Sequence, residues 1–142
     1  MAQQRARRVE ARDYRLLADF RYALRRFLRF SEAAARQAGL TPQQHQLLLA
    51  IKGFPGGLQP TVGEIAERLG VRHHSAVELA QRLEEAGLVA RAHDEQDRRR
   101  VRLRLMPEAE VRLARLSASH LHELRHLRPV LAELVEAIGA DS

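Results

Sequence analysis

TVGEIAERLG at residues 61–70 and VRHHSAVELAQRLEEAG at residues 71–87 are the adjoining segments that decide the fold. Thr61 and Glu64 have the spacing of a capping box, in which each side chain bonds the other residue's backbone N–H, so a helix begins here. Apolar residues then recur at i, i+3, i+4 and i+7, and Gly70 is suited to the left-handed turn that ends a helix. This apolar stripe consists of Val62, Ile65, Ala66 and Leu69.

A second short helix is predicted directly after the first and ends at Gly87. Its buried side is formed by Ala76, Leu79, Ala80, Leu83 and Ala86. Two short helices joined by a tight turn are a helix-turn-helix, whose second helix can enter a major groove of DNA. The polar face is the candidate recognition surface, with Arg72, His73, His74, Ser75, Glu78 and Arg82. A polar helix face is most often only solvated surface, so this assignment depends on the segment that follows.

The next segment has the pattern of a basic β-hairpin. Residues 88–92 and 101–105 are predicted strands, and residues 94–97 have turn-forming side chains. In the second strand Val101, Leu103 and Leu105 are predicted to point inward, and Arg100, Arg102 and Arg104 to share the opposite face. Residues 98–100 are three consecutive arginines at the tip. A hairpin of this kind after a helix-turn-helix is a wing that can reach phosphates or a narrow minor groove.

Three segments resemble the core of the MarR-type winged-helix transcription regulators: LGV at residues 69–71, RLEEAGLV at 82–89 and DRRRVRL at 97–103. The layout is also similar, because these regulators place the winged helix between an N-terminal helix and C-terminal helices that dimerise. The resemblance implies that Arg99 enters the minor groove, that Asp97 holds the wing, and that the helix from Arg72 to Arg82 reads the major groove. The implied DNA-contacting wing residues are Asp97, Arg98, Arg99 and Arg100.

Two positions depart from the family pattern. Residues 106–109 are MPEA where the family often has Thr-x-x-Gly, so the next helix is capped differently. Glu78 stands where relatives often carry a polar or basic residue. A carboxylate there could accept a hydrogen bond from a cytosine amino group, or it could weaken phosphate contact. The base specificity is therefore left open.

Composition limits the other possibilities. The chain has 142 residues, 4% aromatic residues, no cysteine and a net charge of +6, so a single, mainly helical domain without thiol chemistry is expected. We find neither a signal peptide nor a membrane segment, and expect a cytoplasmic protein. The largest basic excess lies in residues 1–36 and is interpreted as a solvated helix face plus a disordered start, to about residue 9. DNA-backbone contact by Arg5, Arg7 and Arg8 is the alternative.

The flanking regions are predicted to be helical. One long helix covers residues 12–38, a second follows the capping box at Thr41, and the loop at residues 54–60 contributes one short strand to the wing. Pro107 begins a long helix, and Pro129 kinks it or begins a last one. The apolar residues of this C-terminal region are Val111, Ala114, Ala118, Leu121, Leu124, Val130, Leu131, Leu134, Val135 and Ile138. They are too many for one chain to bury, so we expect a twofold dimer with interlocking terminal helices.

The predicted fold is therefore mainly α with a small β-wing. Residues 1–38 and 106–142 form the dimerisation lobe, and residues 39–105 form the winged helix-turn-helix region.

One competing motif is HELRH at residues 122–126, which matches the H-E-x-x-H pattern of zinc enzymes. A catalytic zinc also needs a third protein ligand and a cleft, and this segment lies in the predicted dimerisation lobe. The same histidines, His120 to His126, would alternatively serve a metal-responsive regulator. We also find neither a phosphate-binding glycine loop nor an oriented nucleophile and base. The sequence therefore predicts no enzyme, no cofactor and no metal as its first interpretation.

The function favoured by these observations is that of a homodimeric, sequence-specific DNA-binding transcriptional regulator. The expected partner is double-stranded DNA with a pseudo-palindromic operator, and a repressor is the preferred mode. The family resemblance implies release by a small-molecule effector, whose identity and binding residues the sequence does not give. The alternatives are a winged-helix module that binds only proteins, and the metal-responsive regulator.

Overall fold

A computed structural model describes residues 7–139 of the chain. Its elements in chain order are α1 (Ala11–Gln37), α2 (Pro42–Lys52), α3 (Val62–Leu69), α4 (His73–Glu85), β1 (Val89–His93), β2 (Val101–Leu105), α5 (Pro107–Leu124), a 3-10 turn (Arg125–Leu127) and α6 (Arg128–Gly139). The predicted class, mainly α with a small β-wing, is confirmed. The predicted disorder and DNA contact at residues 1–6, including Arg5, lie outside the described residues.

The helix boundaries follow from the predicted caps. The Thr61 hydroxyl accepts from the Glu64 backbone N–H at 3.2 Å, and the Glu64 carboxylate accepts from the Thr61 N–H at 3.0 Å. Thr41 and Gln44 form the same reciprocal pair at the start of α2. Gly70 has the left-handed φ of +67° that ends α3. These local contacts set where α2 begins and where α3 begins and ends.

The end of α4 differs slightly from the prediction. Ala86 was expected on the buried side, but the helix ends at Glu85 and Ala86 is an exposed cap residue. The left-handed Gly87, with φ +75°, turns the chain so that the Leu88 N–H bonds the Leu83 carbonyl at 2.9 Å. The chain therefore passes from helix to strand within three residues.

The wing is a two-stranded antiparallel hairpin. Val89 pairs with Leu105 and His93 with Val101, so the register places the arginine-rich turn at one end. The short third strand predicted near residue 60 is reduced to a single bridge between Thr61 and Arg102, with the Leu103 N–H donating to the Pro60 carbonyl at 2.8 Å. That bridge attaches β2 to the start of α3.

The chain divides into two compact units. Among the described residues, the first contains residues 7–31 and 120–139, and the second contains residues 32–119, which include the winged helix. The core of the second unit is aliphatic, and its completely buried members include Leu47, Leu48, Ile65, Ala80, Leu83 and Leu103. Because α2, α3, α4 and β2 all contribute to it, the helix-turn-helix and the wing share one core.

The C-terminal helices expose much of their predicted apolar stripe. Val111 and Leu121 of α5 are 54% and 68% exposed, whereas Leu113 and Leu116 on another side of the helix are buried. In α6 no residue is buried, and Val135 and Ile138 are exposed. The dimerisation role of these residues stays a prediction. No helix in residues 7–139 has the length and hydropathy needed to cross a bilayer.

The Thr61 cap provides a test of this fold. Thr61→Ala is expected to lower the free energy of unfolding by about 1 kcal/mol, because the Glu64 backbone N–H loses the hydroxyl that accepts from it. Thr61→Ser keeps the hydroxyl and should restore most of that loss. Urea unfolding followed by circular dichroism measures both variants. Equal stability of Thr61→Ala and the wild type would contradict the cap assignment.

Candidate nucleic-acid interface

Helix α4 presents the predicted recognition residues to solvent. Ala76, Ala80 and Leu83 are buried in the core, and this fixes the rotation of the helix about its axis. The six predicted recognition residues are all exposed, namely Arg72, His73, His74, Ser75, Glu78 and Arg82. Arg72 is the N-cap residue, and its side chain makes no capping hydrogen bond. The exposed face therefore combines cationic, imidazole, hydroxyl and carboxylate groups.

Asp97 organises the tip of the wing. Its Oδ1 accepts from the backbone N–H and from Nε of Arg99, both at 3.1 Å, and its Oδ2 accepts from Nη2 of Arg99 at 3.3 Å. Arg100 lies within 3.8 Å of the same carboxylate. These arginine contacts hold the pKa of Asp97 below its ordinary value, with the Arg99 side chain as the largest cause. The Arg99 side chain nevertheless remains 91% exposed, so it is directed but accessible.

The other tip arginines are also on the surface. Arg98 and Arg100 are exposed, and the Arg98 carbonyl lies 2.8 Å from Nδ1 of His93. The Arg100 carbonyl accepts from the Asp94 N–H at 2.9 Å, closing the turn. All four predicted wing residues thus lie together at one end of the hairpin, with Asp97 holding the turn among the three arginines.

Arg102 departs from the expected outward arginine row. Its guanidinium donates to Asp94 Oδ2 at 3.0 Å and to the Gln59 carbonyl, and its side chain is only 28% exposed. Asp94 also accepts from the Gln96 N–H, and this bond is the main cause of its lowered pKa, with Arg102 adding to the effect. The alternation of β2 predicted the face of Arg102 but not the partners that attach it to the base of the wing.

A groove of about 410 Å³ lies between α3, the start of α4 and the wing. Its charged and imidazole lining consists of Glu64, Glu67, His73, Arg91, Arg99 and Arg100. The groove therefore connects the predicted recognition helix with the predicted wing contacts along one surface. The sequence analysis did not include Arg91 among the candidate residues. The available signal was its position two residues after Val89 in a predicted strand, which places both side chains on one face.

Two other groups of residues named from the sequence lie in the terminal parts of the chain, the histidines at residues 120–126 and the arginines at residues 7 and 8. Helix α5 ends at Leu124 and continues as a 3-10 turn, so His122 and His126 do not share a regular α-helical turn. In the described part of the chain, no three His, Cys, Asp or Glu residues are grouped to hold a metal ion. His120 instead bonds the Ser31 hydroxyl at 2.7 Å and packs edge-on against Phe27 and Phe30. Arg7 pairs with Asp13 at 2.9 Å, and Arg8 is exposed.

The fold and the surface together define a winged helix-turn-helix protein. Comparison with known proteins shows that residues 38–100 match the family model described as the MarR family. The chain is similar to that family over those residues.

Individual known proteins are also similar to this chain. Over 80 residues the chain is 38% identical to the HTH-type transcriptional repressor MdtR of Bacillus subtilis, an alignment that covers 56% of this chain and 50% of that protein. The chain therefore spans half the length of this curated relative. Among solved structures, the YusO protein from Bacillus subtilis is 26% identical, with a TM-score of 0.66 and coverage of 94% of this chain and 99% of that one.

A second solved structure was determined with nucleic acid. It is a mutant of S. aureus MepR bound to an oligodeoxyribonucleotide, with 18% identity, a TM-score of 0.67, and coverage of 87% of this chain and 95% of that one. At this identity the likeness supports the fold.

The lowered pKa of Asp97 gives a pH-dependent prediction. A carboxylate whose folded pKa lies below its unfolded value stabilises the fold at neutral pH, and this contribution is lost as the pH falls from about 4 through the folded value. Asp97→Asn should therefore be less stable than the wild type at pH 7, and the difference should shrink as the solution is acidified below about pH 4. Urea midpoints across this pH range measure it.

Glu95→Gln is the matched control, since it removes a carboxylate from the same turn. It should change the midpoint less than Asp97→Asn at pH 7. A difference between Asp97→Asn and the wild type that is constant down to pH 2 would contradict the assignment of Asp97.

Proposed function

We propose that this chain is a homodimeric, sequence-specific DNA-binding transcriptional regulator that acts as a repressor. The observation that carries the proposal is the single surface on which the exposed polar face of α4 adjoins a wing tip with three arginines. An α-helix fits a major groove, and exposed guanidinium groups beside it are suited to phosphates and to the narrow minor groove. The repressor mode is supported by the similarity to MdtR.

The proposed contacts divide by chemistry. His73, His74, Ser75 and Glu78 carry the donors and acceptors that base edges require, whereas Arg72 and Arg82 pair with phosphates or guanine. Arg98, Arg99 and Arg100 approach the minor groove and backbone, and Asp97 orients Arg99. A winged-helix module that binds only proteins would not need this concentration of arginine at the wing tip.

The dimer is supported by the exposed apolar side chains of the terminal helices. Leu121, Val135 and Ile138 are each about 70% exposed, and apolar groups of this size are stabilised by burial against a partner. A twofold dimer presents two α4 helices, so the operator is a pseudo-palindrome with half-sites about one helical turn apart. We extend to this chain the release by a small-molecule effector that the family resemblance implies.

The function is tested by fluorescence-anisotropy titration against the DNA upstream of the protein's own gene and a scrambled duplex, at several salt concentrations. The proposal predicts salt-dependent binding with a preference of about 10³ or more for the natural sequence. Equal, weak binding to every duplex, including those selected from a random pool, would contradict sequence-specific regulation and favour the protein-interaction module.

Arg99 provides the residue-level test. Arg99→Ala should weaken binding and reduce the slope of log affinity against log salt by about one unit, because one phosphate contact is lost. Arg36→Ala removes the same charge at an exposed residue in the last turn of α1 and should leave both quantities close to the wild-type values. The same loss of slope in both variants would show that Arg99 acts only through net charge.

A further inference from the structure

An ion pair between Glu84 and Arg91 joins the recognition helix to the wing. Arg91 Nε donates to Glu84 Oε2 at 3.1 Å, and Arg91 Nη2 donates to Glu84 Oε1 at 3.0 Å. Glu84 lies in the last turn of α4, and Arg91 is the central residue of β1. Two parallel hydrogen bonds between planar groups fix their relative orientation as well as their distance.

The position of this pair matters more than its strength. The two side chains are 40% and 28% exposed, and ion pairs at such exposure add little to stability. The pair spans the three-residue connection from α4 to β1, in which Gly87 has the positive φ. The connection is short, and the two hydrogen bonds between Glu84 and Arg91 join its two sides. Together they restrict the angle between the helix and the hairpin.

A second set of contacts fixes the opposite side of the wing. Arg102 donates to Asp94 and to the Gln59 carbonyl, so the residue after β1, the second residue of β2 and the loop before α3 are held together. The hairpin is therefore attached to the helix-turn-helix on both edges, at Glu84 through β1 and at Gln59 through β2. The arginine-rich tip extends from this fixed base.

We propose that Glu84 and Arg91 are positioning residues for DNA binding: they hold the wing at the angle at which Arg99 reaches its groove while α4 occupies the neighbouring one. The inference rests on the proposed DNA-binding function. A wing that is already oriented before binding loses less freedom when the complex forms, so both sets of contacts contribute to affinity together.

The proposal predicts an effect opposite to that of simple electrostatics. Removing a carboxylate from a DNA-binding surface lowers the repulsion of phosphates, so Glu84→Gln would strengthen binding if Glu84 acted only by its charge. As a positioning residue, Glu84 is needed, and Glu84→Gln weakens binding instead. Glu85→Gln is the matched control, because it makes the same substitution at the next, exposed residue of the same helix.

The experiment measures anisotropy titrations of the full chain on its preferred duplex for the wild type, Glu84→Gln, Glu85→Gln and Arg99→Ala, and for the Glu84→Gln Arg99→Ala double variant. We expect Glu84→Gln to lose about tenfold in affinity, in the range of coupled sites, and Glu85→Gln to equal or exceed the wild type. In the Arg99→Ala background, Glu84→Gln should cost at most about twofold, because a wing without Arg99 has less to position. This non-additivity is a signature that a merely structural role would not produce.

Charge exchange separates positioning from loss of fold. The Glu84→Arg Arg91→Glu double variant restores an ion pair across the same connection and should recover most of the affinity that Glu84→Gln loses. Thermal unfolding of every variant gives the folded fraction by which the affinities are corrected.

Each result is decisive. If the wild type shows no specific binding, the proposed function fails and the positioning role fails with it. If the wild type binds specifically but Glu84→Gln matches Glu85→Gln, or if the effects of Glu84→Gln and Arg99→Ala are additive, the positioning role alone is overturned.

Discussion

The shared burial of Ile65, Leu83 and Leu103 is the constraint on which the rest of the winged helix depends. These three side chains come from α3, α4 and β2 and are completely buried. Removing that much apolar surface from water is the main stabilising contribution in a unit of this size. Each of the three elements must direct its own core residue inward. The opposite faces of α4 and the wing therefore both point outward. The candidate DNA surface is thus a geometric consequence of the core.

Local chemistry refines what the core allows. The Thr61–Glu64 capping box and the left-handed Gly70 set the length of α3, and the Thr61–Arg102 bridge then joins that helix to the wing. Carboxylates at the wing have an organising role: Asp97 orients Arg99, Asp94 holds Arg102, and Glu84 holds Arg91. A basic surface without these acids would repel itself and leave its arginines in many conformations. The arginines that pair with these carboxylates have defined directions, and each carboxylate lowers the net positive charge of the surface.

The sequence predicted the elements well because their signals are local. Caps, glycines, the period of α3 and α4, and the alternation of β2 each depend on neighbours within a few residues. The contacts that assemble the site were not predictable in this way. Periodicity placed Arg102 on the outward face of β2, but its partner Gln59 is distant in sequence and its partner Asp94 lies in the wing turn, so these contacts are visible only in three dimensions. Likewise, nothing in the one-dimensional pattern indicated that Glu84 and Arg91 meet across the turn at Gly87.

The HELRH motif at residues 122–126 shows that a matching sequence pattern does not by itself establish the geometry of a site. The motif requires two histidines one α-helical turn apart, and it was matched by letters alone. Pro129 has no N–H to donate to the Arg125 carbonyl, so the regular α-helix is interrupted and residues 125–127 form a 3-10 turn. The spacing in sequence is retained, but the two histidines do not lie on one regular α-helical turn.

In the proposed complex, α4 and the wing of each protomer contact neighbouring grooves of one DNA half-site. Chemical footprinting on the tightest-binding duplex tests this arrangement, with guanine N7 methylation interference for the major groove and hydroxyl-radical protection for the minor groove. We expect two equivalent patterns about one helical turn apart, each with a major-groove contact flanked by a minor-groove contact. In the Arg99→Ala variant the minor-groove protection should be lost while the major-groove interference remains. Uniform protection along the duplex, or a single footprint with major-groove contact alone, would rule out this arrangement.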